Sequence, residues 1–426
     1  MAFNDAQKMA IRHREGPMLV LAGPGSGKTT VITNRVRYLT EKAGVDPSHI
    51  LVITFTRAAA REMKERYEQI TQAGCSRVSF GTFHSVFFLI LKLAYRYKAA
   101  DIVREEQRVQ FIKEMLSKCD LEVEDEGEFI SSVLSEISMV KGDIMDMDHY
   151  YAKNCSEDMF RQLYRGYEAR LRQNRLLDFD DMLVMCYVLF KERKDILSAW
   201  QDKYRYILID EFQDINRIQY EIVKMLALPR NNLFIVGDDD QSIYRFRGAK
   251  PELMLGFERD YPGAGKILLD TNYRCSRQIV EAAGRVISHN RTRFPKEIKA
   301  ARGNGHPVII KEWQEPIDET LGIVTEIRDY ASMGISYNDM AVLYRTNMGP
   351  RLLISKLMEY NIPFYMRDAV PNLYEHWISG NVISYIRAAL GDLSRSNVLQ
   401  IINRPKRYIS RDALEDRQVN WESVKS

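Results

Sequence analysis

Short apolar runs alternate with longer amphipathic segments over the first two-thirds of the chain. The runs at Met18–Ala22, Ile50–Phe55, Tyr206–Ile209 and Leu233–Val236 are each followed by turn residues and then by a helical pattern. Buried strands that alternate with helices are typical of a parallel sheet covered by helices. The pattern therefore predicts an α/β fold.

A different pattern interrupts this alternation between about residues 87 and 200. The segment is helical in pattern almost throughout and offers few candidate strands. We expect a helical domain, residues 89–195, inserted into the α/β domain. Residues 1–88 and 196–265 then form the two parts of that first domain.

A second α/β stretch is predicted from about Lys266. Its candidate strands are Lys266–Leu269, Val308–Glu312 and Met340–Tyr344, separated by helical segments. We expect these strands to form a second, partial domain over residues 266–377. The remainder of the chain is helical in pattern and then polar.

The amino-acid composition narrows the class of protein and agrees with the predicted α/β fold. With 426 residues, 45% apolar and 28% charged, the chain is typical of a multidomain globular protein. No apolar run approaches the roughly 18 residues that span a bilayer, and the first residues lack a secretory pattern. We therefore expect a cytoplasmic protein with no membrane partner. The five scattered cysteines suggest neither a disulfide framework nor a zinc site.

The small net charge of +3 hides an uneven distribution. Residues 1–100 contain 15 Lys and Arg against 7 Asp and Glu, whereas residues 101–200 contain 14 against 22. A basic first segment suits a polyanion such as a nucleotide or a nucleic acid. The acidic segment that follows argues against a protein that coats DNA uniformly.

A glycine-rich loop follows the first predicted strand and precedes a helical pattern. In a P-loop, backbone N–H groups and the helix N-terminus form a positive cradle for phosphates. Lys28 would reach the β- and γ-phosphates, and the Thr29 hydroxyl can ligate Mg²⁺. The candidate ATP-binding residues are Ala22, Gly23, Pro24, Gly25, Ser26, Gly27, Lys28, Thr29 and Thr30, with Ala22 where a P-loop usually begins with glycine.

Two carboxylates end the predicted strand at Tyr206–Ile209. Ligands of α/β proteins bind at the carboxyl edge of the sheet, where Asp210 and Glu211 are expected to lie. We expect Asp210 to hold Mg²⁺ through water and Glu211 to orient or deprotonate the attacking water. A plain helix cap is the alternative for this pair.

A second acidic group, Asp178, Asp180 and Asp181, precedes the predicted helix Met182–Phe190. Acidic residues stabilise a helix N-terminus, and no histidine lies nearby to complete a metal site. We therefore favour a helix start over a metal site here.

Six segments that include or flank these sites occur in order along the chain. They are Phe3–Gln7, Thr54–Met63, Gly81–Ser85, Asp210–Asp214, Gly237–Ala249 and Asn272–Arg274. Together they resemble the motifs of superfamily 1 DNA helicases of the UvrD/Rep/PcrA type. The similarity continues through Ala341–Asn347 and Ile401–Pro405.

The resemblance implies a motor with two RecA-like domains that bind Mg-ATP between them. Such a protein moves 3′ to 5′ along single-stranded DNA and acts on tailed duplexes, with DNA repair as one setting. By this resemblance Gln7 reads the adenine and Tyr273 stacks on it. Arg274 is the arginine finger from the second domain, and Gln241 senses the γ-phosphate.

The same resemblance assigns a DNA site. It implies that Phe55, Tyr244, Phe246 and Arg247 face the bases, and that Thr56, Arg57, Thr82, His84, Arg345 and Asn347 lie nearer the DNA backbone. Aromatic platforms accept any base, which suits a translocase. Phe246 stands between two arginines in a polar loop, which disfavours a core position, whereas His84 could equally be a buried histidine.

Two motifs that close the family pattern are absent from these 426 residues. We therefore expect the N-terminal portion of a longer helicase, with residues 378–426 the start of a second helical insertion. On that reading the chain alone binds Mg-ATP but has little DNA-stimulated turnover and no strand-separation activity. The alternatives are an ATP- and DNA-binding module without turnover and the helicase subunit of a recombination nuclease complex.

Overall fold

The computed structural model describes residues 3–72, 76–117, 126–367, 372, 374, 376–405, 407 and 409. The chain forms two compact units, Met1–Val308 and Ile309–Ser426. Among the described helices, none is both long and apolar enough to cross a lipid bilayer. Cys155, Cys186 and Cys275 are free thiols, whereas Cys75 and Cys119 lie outside the described residues.

A six-stranded parallel sheet forms the centre of the first unit. Its strands lie in the order β3-β2-β4-β5-β1-β6. They are β1 (Met18–Ala22), β2 (Ile50–Thr54), β3 (Ser79–Thr82), β4 (Tyr206–Ile209), β5 (Leu233–Gly237) and β6 (Gly265–Leu269). The residues of β1, β2 and β5 are buried along their whole length, because helices cover both faces. The predicted α/β class is confirmed.

Thirteen α-helices belong to the described part of the first unit. They are α1 (Asp5–Arg12), α2 (Lys28–Glu41), α3 (Arg57–Thr71), α4 (Phe83–Tyr95), α5 (Glu105–Leu116), α6 (Glu126–Gly142), α7 (Glu157–Gln173), α8 (Phe179–Glu192), α9 (Lys194–Lys203), α10 (Arg217–Ala227), α11 (Pro251–Leu255), α12 (Phe257–Asp260) and α13 (Arg277–Ile287). Apolar residues of α1, α2 and α3 cover one face of the sheet, and those of α4, α8 and α10 cover the other.

The helical stretch between β3 and β4 divides into two parts. Helices α5, α6 and α7 share an apolar cluster of their own, with Ile112, Ile137 and Phe160 at its centre. Helices α4 and α8 instead bury Phe87 and Leu183 in the cluster that covers the sheet. The separate core of the inserted domain is therefore narrower than residues 89–195, because α8 packs on α4 and α10 and belongs to the cluster that covers the sheet.

A buried lysine joins the inserted helices to α8. The Lys141 ammonium lies 2.9 Å from Asp178, 2.6 Å from Asp181 and 2.7 Å from Glu168, and its side chain is 2% exposed. Asp178 also caps α8, where its side chain accepts a hydrogen bond from the Asp181 N–H at 2.7 Å. The acidic group is thus a helix start, as predicted.

The strand predicted to open the second domain belongs to the first sheet instead. Strand β6 pairs in parallel with β1, and its Ile267 and Leu269 are buried against the helices that cover β1. This pairing completes the sheet and overturns the assignment of Lys266–Leu269 to a second sheet. A separate two-stranded pair follows, formed by β7 (Thr271–Asn272) and β8 (Lys299–Ala300).

The second unit is helical in its described residues. Its helices are α14 (Pro316–Ser332), α15 (Arg351–Glu359), α16 (Trp377–Ala389) and α17 (Arg395–Ile401). Helices α14 and α15 pack through Val324, Leu353 and Leu357. The predicted insertion at 378–426 begins with α16 and α17, and most of it beyond residue 405 lies outside the described residues.

Two predicted strands are wrong. Val308–Glu312 and Met340–Tyr344 have no strand structure, and Ile310 and Leu343 are 87% and 93% exposed. A strand is stable only where a neighbour accepts and donates its backbone hydrogen bonds. In the described part of the chain, neither segment has such a neighbour.

Candidate functional site

The predicted site residues of the first unit converge because five parallel strands end at one edge of the sheet. The P-loop follows β1, Phe55 follows β2, Asp210 follows β4 and Asp238 follows β5. Thr82 ends β3 at the same edge. In parallel α/β sheets this carboxyl edge is where ligands bind.

The P-loop wraps closely because two of its glycines adopt left-handed backbone angles. Gly25 has φ +64° and Gly27 has φ +86°, which side chains with a Cβ rarely adopt. Gly27 is the N-cap of α2 and offers no side chain to the first N–H groups of that helix. Those N–H groups and the helix dipole provide a site for an anion.

Lys28 and Glu211 form an ion pair at the centre of the site. The Lys28 ammonium is 2.6 Å from Glu211 Oε2, with side chains 14% and 33% exposed. Glu211 has φ +52°, an uncommon angle for this residue type and one that is frequent at functional sites. Lys28, which is expected to bind the phosphates, therefore contacts Glu211, which is expected to be the catalytic carboxylate.

Asp210 is the predicted magnesium ligand at this edge of the sheet. It is 5% exposed, and its Oδ1 accepts no hydrogen bond from any residue in the described part of the chain. Burial and the neighbouring Glu211 raise the pKa of Asp210 to about 7. The Ser26 hydroxyl is also buried without a partner in that part of the chain. These oxygens, with Thr29 in the first turn of α2, fit the hard oxygen ligands that Mg²⁺ prefers.

The residues expected to hold adenine lie beside the P-loop. Gln7 donates from Nε2 to the Ser26 carbonyl at 3.0 Å, and the Tyr273 N–H donates to the Gly25 carbonyl at 3.0 Å. Asn4 joins the two residues. Its Oδ1 accepts from the Gln7 N–H at 2.8 Å and its Nδ2 donates to the Tyr273 hydroxyl at 3.0 Å.

Sequence reasoning had not assigned a role to Asn4. The sequence indicates only the local role of Asn4. Asn4 caps α1 and Gln7 is the third residue of that helix, which is the spacing of a capping box. The contact with Tyr273 joins residues 269 positions apart, and no local pattern predicts it.

Arg274, which the resemblance assigns to the second RecA-like domain, lies in the compact unit Met1–Val308 together with the P-loop. A Cβ on Gly25 would lie 2.8 Å from the Arg274 Cβ, and the Arg274 N–H donates to Asn272 Oδ1 at 2.8 Å. The cause is the pairing of β6 with β1, which brings the chain to the P-loop at Leu269. There the Gly23 N–H donates to the Leu269 carbonyl at 3.3 Å.

A hydrogen-bonded path connects Lys28 to Gln241. From Glu211, which pairs with Lys28, the path continues to Gln213, whose Nε2 donates to Glu211 Oε2 at 2.9 Å. The Asp238 N–H donates to Gln213 Oε1 at 3.0 Å, and Gln241 Nε2 donates to Asp238 Oδ2 at 2.8 Å. Gln213 is 1% exposed and was not among the predicted site residues.

An aromatic surface follows the Gln241 turn. The Phe55 and Tyr244 rings stack with centroids 4.9 Å apart, and the Phe246 ring lies 6.0 Å from Tyr244. The Arg247 guanidinium lies 5.3 Å from the Tyr244 ring and 5.4 Å from the Phe246 ring. Phe246 is 66% exposed, so the core alternative does not apply to it.

The remaining candidates of the first unit lie at two helix N-termini. Thr56 caps α3 and accepts from the Ala59 N–H at 3.1 Å, while Thr82 caps α4 and accepts from the Ser85 N–H at 3.3 Å. Arg57 is the first residue of α3.

His84 packs edge to face on Phe179 with centroids 5.5 Å apart. Burial, and after it the Arg57 charge, lower the pKa of His84.

Two family models match the chain. The UvrD/REP helicase N-terminal domain matches residues 3–262, and the UvrD-like helicase C-terminal domain matches residues 267–422. The chain belongs to the UvrD/REP helicase family.

Curated relatives named as ATP-dependent DNA helicases resemble the chain along nearly its whole length. YjcD of Bacillus subtilis is 37% identical over 421 residues, which is 97% of this chain and 55% of YjcD. The ATP-dependent DNA helicase PcrA of Staphylococcus epidermidis is 37% identical, and that of Staphylococcus aureus is 36% identical, each over 97% of this chain and 57% of the relative. The chain thus spans about half the length of these relatives.

Two predicted DNA contacts of this UvrD/REP family chain lie in the second compact unit. Arg345 and Asn347 are exposed residues of the bend and turn that precede α15. The other predicted site residues belong to the first unit. The role of this pair in DNA binding remains a prediction.

Proposed function

We propose that this chain carries the ATP- and DNA-binding machinery of an ATP-dependent helicase that moves 3′ to 5′ along single-stranded DNA. The observation that carries the proposal is the hydrogen-bonded path from Lys28 to Gln241, which ends at the turn before the aromatic surface. A path of this kind lets the phosphate end of a bound nucleotide influence residues at the DNA side. We further propose a cytoplasmic location and tailed duplexes as substrates.

The nucleotide part of the proposal assigns one task to each group. The P-loop N–H groups and Lys28 bind the phosphates, while Gln7 and Tyr273 hold the adenine. Thr29 and Asp210 would hold Mg²⁺, which when bound supplies positive charge beside the phosphate oxygens.

The chemical step of the proposal belongs to three residues. Glu211 accepts a proton from the attacking water, and Gln241 contacts the γ-phosphate. Arg274 offsets the charge that develops during phosphoryl transfer. The ion pair of Glu211 with Lys28 and its bond from Gln213 support this assignment, because both hold the carboxylate in place.

The DNA part of the proposal assigns base stacking to Phe55, Tyr244 and Phe246, with Arg247 beside them. Stacking is worth about 1–3 kcal/mol per base and does not depend on sequence. Thr56, Arg57, Thr82 and His84 would lie along the DNA backbone, where helix N-termini favour phosphates. The exposure of the Phe246 ring supports this part.

The decisive experiment measures ATP hydrolysis in single-turnover format, with the protein in excess over labelled ATP, with and without oligo(dT). We expect Glu211→Gln to keep its ATP affinity and to lose hydrolysis, because the amide cannot accept the proton. Glu192→Gln, at an exposed position of α8, is the matched control. Binding of both ligands by the wild type with no hydrolysis would favour a binding module instead.

Direction of movement requires a second experiment. Duplexes with a 3′ tail and with a 5′ tail of equal length are compared in an unwinding assay with ATP. We expect any strand separation to be confined to the 3′-tailed duplex. Preference for the 5′ tail would contradict the proposed polarity and leave the ATPase assignment intact.

A further inference from the structure

A lysine ammonium lies among three consecutive aspartates just after β5. The Lys296 Nζ atom is 2.5 Å from Asp238 Oδ1 and 3.0 Å from Asp240 Oδ2, and it also bonds to Asp239. The Lys296 side chain is 1% exposed. Arg293 adds a second cation, with Nη2 2.6 Å from Asp240 Oδ2. Two cations therefore offset three carboxylates at a position where unpaired charge is costly.

The ammonium occupies the place that a metal ion would need. The oxygens of Asp238, Asp239 and Asp240 all lie within 4.8 Å of one another, which is a spacing that could hold a cation. Burial alone would lower the pKa of Lys296, but Asp238 and its neighbours raise it above its ordinary value. The lysine thus acts as a built-in cation for this turn.

The segment that carries Lys296 is attached at both of its ends. The Phe294 N–H donates to Asp239 Oδ2 at 2.8 Å, and the Phe294 ring belongs to the apolar cluster on the sheet. Further along, Ile298 packs so closely on the P-loop that a Cβ on Gly23 would clash with Ile298 Cδ1. The segment therefore spans from the aspartate turn to the P-loop.

Asp238 connects this lysine to the site residues. One carboxylate oxygen, Oδ1, accepts from Lys296, while the other, Oδ2, accepts from Gln241 Nε2 at 2.8 Å. The backbone N–H of Asp238 donates to Gln213, which in turn donates to Glu211. Lys296 is thus bonded directly to the Asp238 carboxylate that fixes the Gln241 amide.

We propose that Lys296 is a positioning residue for ATP hydrolysis, an inference that rests on the proposed function. Its charge holds the turn at Asp238–Gln241 closed, so that Gln241 and, through Gln213, Glu211 are oriented toward the phosphates. Without the lysine, the carboxylates of Asp238, Asp239 and Asp240 repel one another, and the Asp238 side chain moves away from its position beside Gln241. The orientation of Gln241 is then lost while the P-loop itself is unchanged.

The test compares Lys296→Met with Lys296→Arg, which keeps a cation. Single-turnover hydrolysis with oligo(dT) and the ATP dissociation constant are measured for each. For Lys296→Met we expect the rate constant to fall roughly 10- to 100-fold, as for small misplacements of reacting groups. The dissociation constant should change by less than about threefold. Lys296→Arg should recover part of the rate, and Lys299→Met, at a 67% exposed lysine of the same segment, should match the wild type.

Two results would overturn the proposal. One is a wild-type rate for Lys296→Met. The other is a parallel loss of rate, ATP affinity and melting temperature, which would indicate a general structural role. A wild type without any hydrolysis would instead contradict the proposed function, and the inference with it.

A second variant keeps the test decisive if Lys296→Met does not fold. Lys296→Met combined with Asp239→Asn removes one of the carboxylates left without a cation, so we expect it to fold. Its hydrolysis should remain roughly 10- to 100-fold slower than that of the wild type, since Asp238 still lacks its cation. A wild-type rate in this variant would overturn the proposal.

Discussion

The Lys28 ammonium and the Glu211 carboxylate lie 2.6 Å apart, although 183 residues separate them in the sequence. The contact joins the loop after β1 to the loop after β4 across the carboxyl edge of the sheet. If Lys28 is replaced, Glu211 still keeps one partner, because it also accepts a hydrogen bond from Gln213.

Lys28→Ala should weaken ATP binding at least about tenfold, because it removes a charge-assisted contact with the phosphates. The measurement is a titration with a fluorescent ATP analogue in the presence of Mg²⁺. Lys42→Ala, at the exposed C-terminal end of the same helix α2, is the control. Equal ATP affinity for the wild type and Lys28→Ala would contradict the assignment of Lys28 to phosphate binding.

Phe246→Ala should reduce single-stranded DNA affinity by about 1–3 kcal/mol, because a stacking ring is removed. The salt dependence of binding should hardly change, since no charge is lost. Fluorescence anisotropy of labelled oligo(dT) over a salt series measures both quantities. Leu93→Ala, at a 65% exposed apolar residue of α4, is the control, and an unchanged affinity for Phe246→Ala would exclude stacking.

Arg345→Ala should show the opposite behaviour in the same salt series. If Arg345 contacts a phosphate, its loss lowers the slope of log affinity against log salt by roughly one. A slope equal to that of the wild type would remove Arg345 from the DNA site.

His84→Gln should leave the salt slope at pH 7.5 unchanged, because burial lowers the pKa of His84 from its ordinary value and so favours the neutral ring. Arg57→Gln, which removes a permanent charge nearby, should lower the slope by roughly one. A reduced slope for His84→Gln would show that the histidine binds DNA as a cation.

The lowered pKa of His84 should also make the free energy of unfolding depend on pH in the acid range. As the pH falls below 6.5 toward the lowered pKa, the unfolded chain binds a proton that the folded chain does not, so the free energy of unfolding decreases. His84→Gln should therefore lose less stability than the wild type between pH 7.5 and 5.5 in urea unfolding. Equal losses would contradict the shift.

Lys141→Ala should destabilise the first unit by about 3–5 kcal/mol, because three carboxylates lose their buried cation. Burial lowers the pKa of Lys141, but Asp178, Asp181 and Glu168 raise it well above its ordinary value, so the side chain is charged. Urea unfolding measures the loss, with the exposed Lys153→Ala as control. A loss below about 1 kcal/mol, as for surface pairs, would refute a buried ion pair here.

The parts of the fold that sequence patterns predicted are those with local causes. Strands such as Met18–Ala22 are buried on both faces, so they are continuous apolar runs in the sequence. The helix start at Asp178 rests on a capping preference within a few residues. The P-loop, with its glycines directly before Lys28, is local in the same sense.

The parts that were missed depend on contacts between distant segments. The sequence of Gly265–Leu269 indicates a strand but not its neighbour, and so the pairing with β1 was not foreseen. Apolar runs such as Met340–Tyr344 resemble strands but lack a neighbour in the described residues. Asn4, Gln213 and Lys296 acquire their roles only through side chains that the fold brings to them.

The position of β6 has a practical consequence for anyone who divides this chain. The N-terminal family match ends at residue 262, yet the strand that covers the edge of β1 begins at Gly265. A protein expressed only to residue 262 would present β1 as a bare, apolar edge, which is a template for aggregation. It would also lack Tyr273 and Arg274. Expression of the first unit to Val308 retains the strand and both residues.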